Sequence, residues 1–330
     1  MFISYTSQED AMTDSHLVIG AGHVGSALAT QLAKAGKRVV LFTRSGRGPN
    51  HKLITKIAGD AASIGDLLKA APQAAAIYNC ANPPHYDKWA TEWPPLAQAF
   101  IEYAKKTGAV LVTCSNLYGY GPTDKKLTED LPLNGTWVNS RVRAQMWLEA
   151  KSLHDAGTIR AVEVRGSDYI SPGMQSRFGD RVVPVLKSGK GVQLLGGIDH
   201  LHSWTAPADV ANLMRIVATE PKAWGNAWHV PSNTPKTQRD VVMDIAKELG
   251  IKDVKVGSVS RGTLTILGIF NPMIRELNNG SYQFNAPFVI DDSATRRTFG
   301  LKPTSWITMI KELAEYYSDT SAVNRGTSDH

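Results

Sequence analysis

The chain has 330 residues, of which 42% are hydrophobic and 20% charged, so it can bury a sizeable core and is neither disordered nor fibrous. Lys and Arg number 36 against 30 Asp and Glu, but the excess is dispersed, so a nucleic-acid partner is unsupported. No apolar stretch reaches the ~20 residues of a membrane helix, and the first residues lack the features of a signal peptide. The two cysteines, Cys80 and Cys114, have neither metal-binding nor redox spacing. We therefore predict a cytoplasmic protein that interacts with neither nucleic acid nor a membrane.

The first half of the chain alternates strand and helix patterns. We predict strands over residues 16–19, 38–42, 53–57, 74–79, 110–113 and 159–164, and helices over residues 26–35, 64–70, 94–106 and 141–154. Strands that alternate with helices form a parallel sheet, because each helix carries the chain back to the same edge. The pattern predicts an α/β fold with a Rossmann-type, doubly wound parallel sheet of at least six strands.

The alternation becomes irregular after Pro172, where glycines interrupt short apolar runs. Helical patterns return over residues 208–218, 239–249 and 306–317. We predict a dinucleotide-binding domain over residues 13–175 and 204–232, and a smaller, discontinuous C-terminal α+β substrate domain over residues 176–203 and 233–317. Residues 1–12 and 318–330 are predicted to be flexible termini.

The strongest local motif is the run Gly20-Ala-Gly22-His23-Val24-Gly25, between the first predicted strand and its helix. Gly20 permits the turn, Gly22 lets the backbone approach a pyrophosphate, and Gly25 lets the helix pack closely on the strand. The helix N-terminus then presents amide protons to the phosphates. In this context the motif predicts a dinucleotide site rather than an ordinary strand-to-helix turn.

The end of the second strand favours NADP over NAD as the cofactor. NAD-binding proteins usually place an acidic residue here, which accepts hydrogen bonds from the adenosine ribose. This chain instead has Thr43, Arg44 and Ser45, and a guanidinium suits the 2′-phosphate of NADP. Arg47 is a second cation nearby. The alternative is that Arg44 is a solvated surface residue.

Further motifs follow the later strands in order. They are Gly59-Asp60-Ala61, Asn79-Cys80-Ala81-Asn82, Tyr118-Gly-Tyr120-Gly-Pro122, Arg165-Gly-Ser167-Asp168 and His202-Ser-Trp-Thr-Ala-Pro-Ala-Asp209. Together with the glycine loop, they resemble the extended short-chain dehydrogenase/reductase family, in particular its NAD(P)-dependent epimerase/dehydratase group. The resemblance covers almost the whole chain. It implies cofactor contacts at the adenine (Asp60, Ala61), near the ribose (Ala81, Asn82) and on the nicotinamide side (Ser167, Asp168).

The catalytic helix motif of that family is altered in this chain. Its members usually carry Tyr-x-x-x-Lys, in which the Tyr is the general acid or base. The run Trp137-Val-Asn-Ser-Arg141 stands in its place. Trp137 cannot replace the phenol, because an indole N–H is a donor only. By the resemblance, Arg141 would hold the cofactor ribose, but a guanidinium stays charged and cannot act as the base.

Replacement catalytic residues are predicted at the end of the fifth strand. Depending on the alignment, Asn116 or Cys114 takes the place of the usual serine, with Ser115 between them. We predict that Tyr118 or Tyr120 provides a relocated phenol and that Ser115 or Asn116 polarises the substrate oxygen. The alternatives are that both tyrosines are packing aromatics, or that the cofactor is bound without hydride transfer.

Three side chains are predicted to contact the substrate. His85 and Tyr86 follow the fourth strand, where open α/β sheets bind ligands, and His202 precedes a later helix. The His and Cys spacings do not support a metal site. The helices over residues 94–106 and 141–154 are, by the resemblance, the interface of a homodimer, and the alternative is packing on the chain's own sheet.

These patterns and the resemblance predict an NADP(H)-dependent oxidoreductase, or an epimerase/dehydratase-like enzyme. Its substrate would be a carbonyl or secondary alcohol of a small molecule, and the resemblance adds a sugar nucleotide as a candidate. The alternative is a non-catalytic regulator or scaffold that binds NADP(H) without turnover.

Overall fold

The computed structural model describes residues 15–174 and 176–319, and a parallel sheet lies at its centre. The strands are β1 (Ser15–Ile19), β2 (Arg38–Thr43), β3 (Ile54–Ala58), β4 (Ala76–Asn79), β5 (Val110–Ser115), β6 (Arg160–Arg165), β7 (Asp168–Tyr169), β8 (Val192–Leu195), β9 (Trp204–Thr205), β10 (Ala227–His229) and β11 (Val256–Val259). The central sheet has the order β10-β6-β5-β4-β1-β2-β3, and its neighbouring strands are all parallel. Two small parallel sheets pair β8 with β11 and β7 with β9.

Helices cover both faces of the central sheet. They are α1 (His23–Lys34), α2 (Ile64–Ala70), α3 (Trp89–Thr107), α4 (Val138–Asp155), α5 (Val183–Lys187), α6 (Pro207–Val217), α7 (Gln238–Glu248), α8 (Arg261–Phe270), α9 (Pro272–Gly280), α10 (Ser293–Phe299) and α11 (Trp306–Ser318). Apolar side chains of α1 and α6 share one core with the sheet, and those of α2, α3 and α4 share the core on its other face. The predicted doubly wound α/β fold is confirmed.

Helix α3 begins earlier than the sequence pattern predicts. Proline favours the first turn of a helix, so the prediction placed the start at Pro94. The observed helix instead begins at Trp89 and runs through both Pro94 and Pro95. The side chains of Trp89 and Trp93 are fully buried, and this burial offsets the backbone hydrogen bonds that the prolines cannot make.

The order of the strands reverses between β1 and β4. From β1 the chain winds outward through β2 and β3, and from β4 it winds the other way through β5 and β6. Open α/β sheets bind ligands at such a reversal, beyond the carboxyl ends of the strands. The glycine loop follows β1 at this point.

A separate hydrophobic cluster lies among α5, α7, α11 and strands β8 and β9, with Leu186, Ile245 and Leu313 at its centre. The predicted domain boundaries remain a prediction. The predicted flexible termini lie outside the described residues, except for 318 and 319, and Ser318 ends α11. Among residues 15–174 and 176–319, no helix has the length and apolar character needed to cross a membrane.

Candidate functional site

The glycine loop is shaped by backbone contacts that admit only glycine. Gly20 has φ of +94°, and a Cβ there would lie 2.8 Å from the carbonyl oxygen of Cys80. A Cβ at Gly25 would lie 1.9 Å from the carbonyl oxygen of Gly20. Helix α1 begins at His23, and its N-cap residue Gly22 offers no side-chain cap to the first-turn amides. The closely approaching backbone and the first-turn amides of α1 therefore fit a pyrophosphate.

The end of β2 lies beside this loop, because the amide of Gly20 donates to the carbonyl of Phe42 at 2.9 Å. Thr43 is half-buried, and Arg44 and Ser45 are exposed. Within residues 15–174 and 176–319, the guanidinium of Arg44 has no hydrogen-bond or ion-pair partner. The structure thus brings this predicted cation to the edge of the glycine loop.

The other residues predicted at the cofactor lie after β3 and β4. Asp60 is exposed, and its carboxylate accepts the amide of Ala62 at 3.0 Å, while Ala61 is half-buried. The amide of Ala81 donates to the side chain of Asn79 at 3.2 Å, and Asn82 is exposed. Since Cys80 lies against Gly20, the β4 end and the glycine loop form one continuous edge.

Four aromatic side chains, which we term the aromatic wall, stand beyond the ends of β4 and β5. They are Tyr86, Trp89, Tyr118 and Trp137. The rings of Tyr86 and Trp89 stack with centroids 4.4 Å apart, and those of Tyr118 and Trp137 lie 5.2 Å apart. The hydroxyl oxygens of Tyr86 and Tyr118 are 3.2 Å apart, within hydrogen-bond distance. The structure therefore pairs a predicted catalytic phenol with a predicted substrate contact.

Trp137 is held by a contact that the sequence pattern did not indicate. Its indole Nε1 donates to Oε2 of Glu276 on α9 at 2.6 Å. A Cβ at Gly280, at the end of the same helix, would lie 3.2 Å from the Trp137 ring. Helix α9 thus lies against the aromatic wall and accepts the hydrogen bond of the Trp137 indole.

The two phenols of the wall are protonated near neutral pH. Burial raises the pKa of Tyr118 well above its ordinary value, and the negative charges of neighbouring groups, including Asp168, raise it further. Burial also raises the pKa of Tyr86, against the lowering effect of its hydrogen bond with Tyr118. Both side chains can therefore donate a proton, but neither is a ready base.

Tyr120 lies in a different, fully bonded environment. Its hydroxyl oxygen is 2.7 Å from Nε2 of His229 and receives a hydrogen bond from Nη1 of Arg165 at 2.6 Å. Arg165 in turn donates to Glu163 at 2.6 Å, and all four side chains are buried. Burial raises the pKa of Tyr120 to about 12. This arrangement favours the packing alternative for Tyr120.

Helix α4 presents two arginines in opposite ways. Arg141, predicted to hold the ribose, is exposed and donates to the carbonyl of Thr136. Arg143 is buried instead; it donates to the carbonyl of Cys114 at 2.7 Å and lies 4.5 Å from the centroid of the Trp93 ring. The structure therefore brings Arg143, and not Arg141, to the end of β5. Helical spacing gives the signal, because Arg143 shares a face with other buried residues of α4.

The predicted polarising groups sit on either side of the β5 end. Ser115 is buried and lines a small cavity together with Arg143 and Glu163. Asn116 is half-buried, and its Oδ1 accepts the amide of Tyr118 at 3.1 Å. Asn116 thus fixes the turn that carries the phenol.

The residues predicted after β6 form a buried cluster. Nε2 of His202 lies 2.9 Å from Oδ2 of Asp168 and 3.2 Å from Oγ of Ser167. His202 is fully buried, whereas Asp168 keeps about a quarter of its side chain exposed. Burial would raise the pKa of Asp168, but the hydrogen bond and charge of His202 bring it below its ordinary value. In this cluster the carboxylate of Asp168 is thus more accessible than the His202 ring.

His85 is exposed on the turn that precedes Tyr86. It makes no hydrogen bond to the aromatic wall in the described parts of the chain. Within the same ranges, no group of three or more His, Cys, Asp or Glu side chains is placed to hold a metal ion.

A family model, the NAD dependent epimerase/dehydratase family, matches residues 16–230. No curated protein matches the chain. An epimerase from Methanothermobacter thermautotrophicus superposes with a TM-score of 0.77 at 16% identity, over 96% of this chain and 95% of that one. For dTDP-glucose 4,6-dehydratase from Bacillus anthracis in complex with NAD, the TM-score is 0.73 at 18% identity, over 93% and 97%. For UDP-glucose 4-epimerase from Thermus thermophilus with NAD, it is 0.72 at 15% identity, over 93% and 99%.

Proposed function

Because the chain belongs to the NAD-dependent epimerase/dehydratase family, we propose that it is an NADP(H)-dependent oxidoreductase that reduces a carbonyl group of a small molecule. The observation that carries the proposal is the hydroxyl pair of Tyr86 and Tyr118, 3.2 Å apart on the edge of the sheet that also holds the glycine loop. A protonated phenol at this edge supplies the acid that Trp137 cannot.

NADP is the proposed cofactor because Arg44 stands exposed where an NAD-binding protein usually has a carboxylate. Its guanidinium would hold the 2′-phosphate, and the amides at the start of α1 would hold the pyrophosphate. The two enzymes above whose structures contain NAD make NADH the natural competitor in a binding assay.

In the proposed mechanism, the reduced nicotinamide supplies the hydride when it is bound. Tyr118 donates a proton to the substrate oxygen, and Tyr86 stays hydrogen-bonded to it, so that the pair shares the charge that develops. The positive charges of Arg181 and Arg143 oppose the effect of burial on the pKa of Tyr86 and so ease this sharing. Asn116 holds the backbone of Tyr118 in place.

The protonation state of the pair favours one direction of reaction. Oxidation of a secondary alcohol starts with a base that takes its proton, and burial leaves almost no phenolate near neutral pH to act as that base. Reduction starts instead from the protonated phenol, which is the form that a raised pKa keeps populated. We therefore place carbonyl reduction ahead of alcohol oxidation and epimerisation, and sugar nucleotides enter as one class of test substrate.

We also propose a homodimer formed by the outer faces of α3 and α4. Val138 and Leu148, both on α4, are exposed apolar side chains that such an interface would cover. Sedimentation of the wild type and of Leu148→Glu tests this, with a monomeric wild type as the contrary result.

A second candidate function is that of a regulator that binds NADP(H) without turnover. The hydrogen bond between Trp137 and Glu276 favours it, because the family's catalytic position is tied to α9. The two candidates differ in one observable, the consumption of NADPH.

The experiment screens carbonyl compounds, including sugar nucleotides with a keto group, for loss of NADPH absorbance with wild-type protein. The best substrate is then given to Tyr118→Phe, for which we expect kcat to fall by about 10²–10⁴. Tyr103→Phe is the matched control, because Tyr103 is a fully buried phenol that donates to the carbonyl of Ala71 in the core. Full activity of Tyr118→Phe contradicts the assigned acid, and tight NADPH binding without any turnover supports the regulator.

A further inference from the structure

A loop from the second half of the chain lies directly on the glycine loop. We term residues 171–174 and 176–180 the Ser171 loop. Oγ of Ser171 is 2.8 Å from Nδ1 of His23, the first residue of α1. A Cβ at Gly173, whose φ is +84°, would lie 3.2 Å from Nε2 of the same ring. The Ser171 loop therefore rests on the residue that begins the pyrophosphate cradle.

The Ser171 loop is internally compact. Oγ of Ser176 accepts the amide of Ser171 at 3.1 Å and donates to the carbonyl of Tyr169 at 2.9 Å. A Cβ at Gly179 would lie 2.2 Å from the carbonyl oxygen of Gly173. Because its two ends touch, a restraint on one point of the loop restrains the whole.

One hydroxyl at the end of α11, the last helix within the described residues, supplies that restraint. The phenol of Tyr317, on α11, accepts the amide of Gly173 at 2.9 Å and donates to the carboxylate of Asp180. Tyr317 is buried, and Lys187 donates to its carbonyl. Helix α11 itself packs in the cluster of α5 and α7, on residues far in sequence from the glycine loop.

We infer that Tyr317 is a positioning residue for dinucleotide binding, acting through the Ser171 loop and His23. This inference rests on the proposed dinucleotide site. A loop that is held in its final conformation before binding loses little conformational entropy when a ligand binds. The bound ligand therefore dissociates more slowly. Such pre-organisation changes the dissociation rate more than the association rate.

The test compares Tyr317→Phe with wild type by stopped-flow measurement of NADPH association and dissociation. The substitution keeps the ring and removes both hydrogen bonds, and we expect dissociation to be about tenfold faster with little change in association. Trp306→Phe is the matched control. It removes the hydrogen bond from Trp306 to Asp244, which ties the same helix to α7 without reaching the Ser171 loop. Its dissociation rate should equal that of wild type.

A second probe separates positioning from general loosening. Adenosine 2′,5′-bisphosphate lacks the pyrophosphate bridge and the nicotinamide, so it should bind Tyr317→Phe and wild type equally. Ser171→Ala breaks the other end of the connection and should accelerate NADPH release to a similar extent. It provides the test if Tyr317→Phe does not fold.

Three results separate the positioning role of Tyr317 from a general loss of structure and from failure of the proposed function. An unchanged NADPH dissociation rate in both Tyr317→Phe and Ser171→Ala overturns the inference. Equal weakening of adenosine 2′,5′-bisphosphate also overturns it, since the effect is then a general loss of structure. Failure of the wild type to bind NADPH at all refutes the proposed function instead.

Discussion

The two ends of the candidate site are built by different means. At the glycine loop, contacts between backbone atoms and the sterically closed positions of Gly20 and Gly25 define the shape. At the aromatic wall, side chains from separate segments meet, and hydrogen bonds such as that between Trp137 and Glu276 fix them. A backbone cradle tolerates almost no substitution. A wall of side chains admits substitutions, provided that the partners of each changed residue still find hydrogen bonds.

The largest effect is expected from Gly25→Ala, which tests the backbone end. A Cβ there would lie 1.9 Å from the Gly20 carbonyl, so α1 must move away from β1. We expect the free energy of unfolding to fall by at least about 4 kcal/mol, with loss of NADPH binding. Chemical denaturation measures the first and titration the second. Gly65→Ala, in α2 with only one atom near its added Cβ, is the control and should be neutral or stabilising. Retained stability in Gly25→Ala would refute the steric argument.

The next effect is a pH dependence in the buried cluster of Tyr120 and His229, which lies apart from the aromatic wall. Burial lowers the pKa of His229 from 6.5 to about 4, and its Nδ1 donates to the carbonyl of Asp291 at 2.8 Å. The unfolded chain therefore binds a proton that the folded chain resists. The stabilising contribution is complete above pH 6.5 and falls as the pH drops toward 4, by roughly 3 kcal/mol in total.

Comparison with His229→Asn isolates this contribution, because the variant removes the titrating imidazole and keeps every other titratable side chain. The free energy of unfolding should decline less steeply for His229→Asn than for wild type between pH 6.5 and 4. Parallel curves in that interval would show that His229 does not titrate as its environment requires.

The smallest effect concerns Arg44, a side chain at the rim of the backbone cradle. Removal of its guanidinium in Arg44→Ala should weaken NADPH binding about tenfold and leave NADH binding unchanged. Arg38→Ala is a matched control, since Arg38 is exposed at the opposite end of the same strand. Isothermal titration with both cofactors measures the difference. Equal loss of NADH affinity would mean that Arg44 does not read the 2′-phosphate.

The family resemblance and the α/β fold, both predicted from the sequence, are confirmed. They could be predicted because their signals lie in short stretches of the chain. Gly20 and Gly25 follow a short apolar strand and precede a helical pattern, so a few consecutive residues suffice to predict the loop. The bounds of α2 likewise match the predicted range, because Ser63 caps its N-terminus through the amide of Asp66. Such features depend on neighbours in the chain.

The contacts of the candidate site that the sequence did not predict join segments that are distant in the chain. Trp137 and Glu276 are 139 positions apart, and His23 and Ser171 are 148 apart, so no periodicity of the sequence links them. The burial of Arg143 lay within reach of the sequence, since helical spacing puts this residue on the buried face of α4. The roles assigned to the site residues remain predictions.

The hydrogen bond between Trp137 and Glu276 also constrains how this chain can evolve. The side chain of Glu276 is only 12% exposed, and loss of the indole donor would leave its carboxylate without that partner. We expect replacement of Trp137 by Tyr alone to carry a penalty that a simultaneous change at Glu276 removes. The two positions are then coupled energetically, so the surroundings of Trp137 favour its retention.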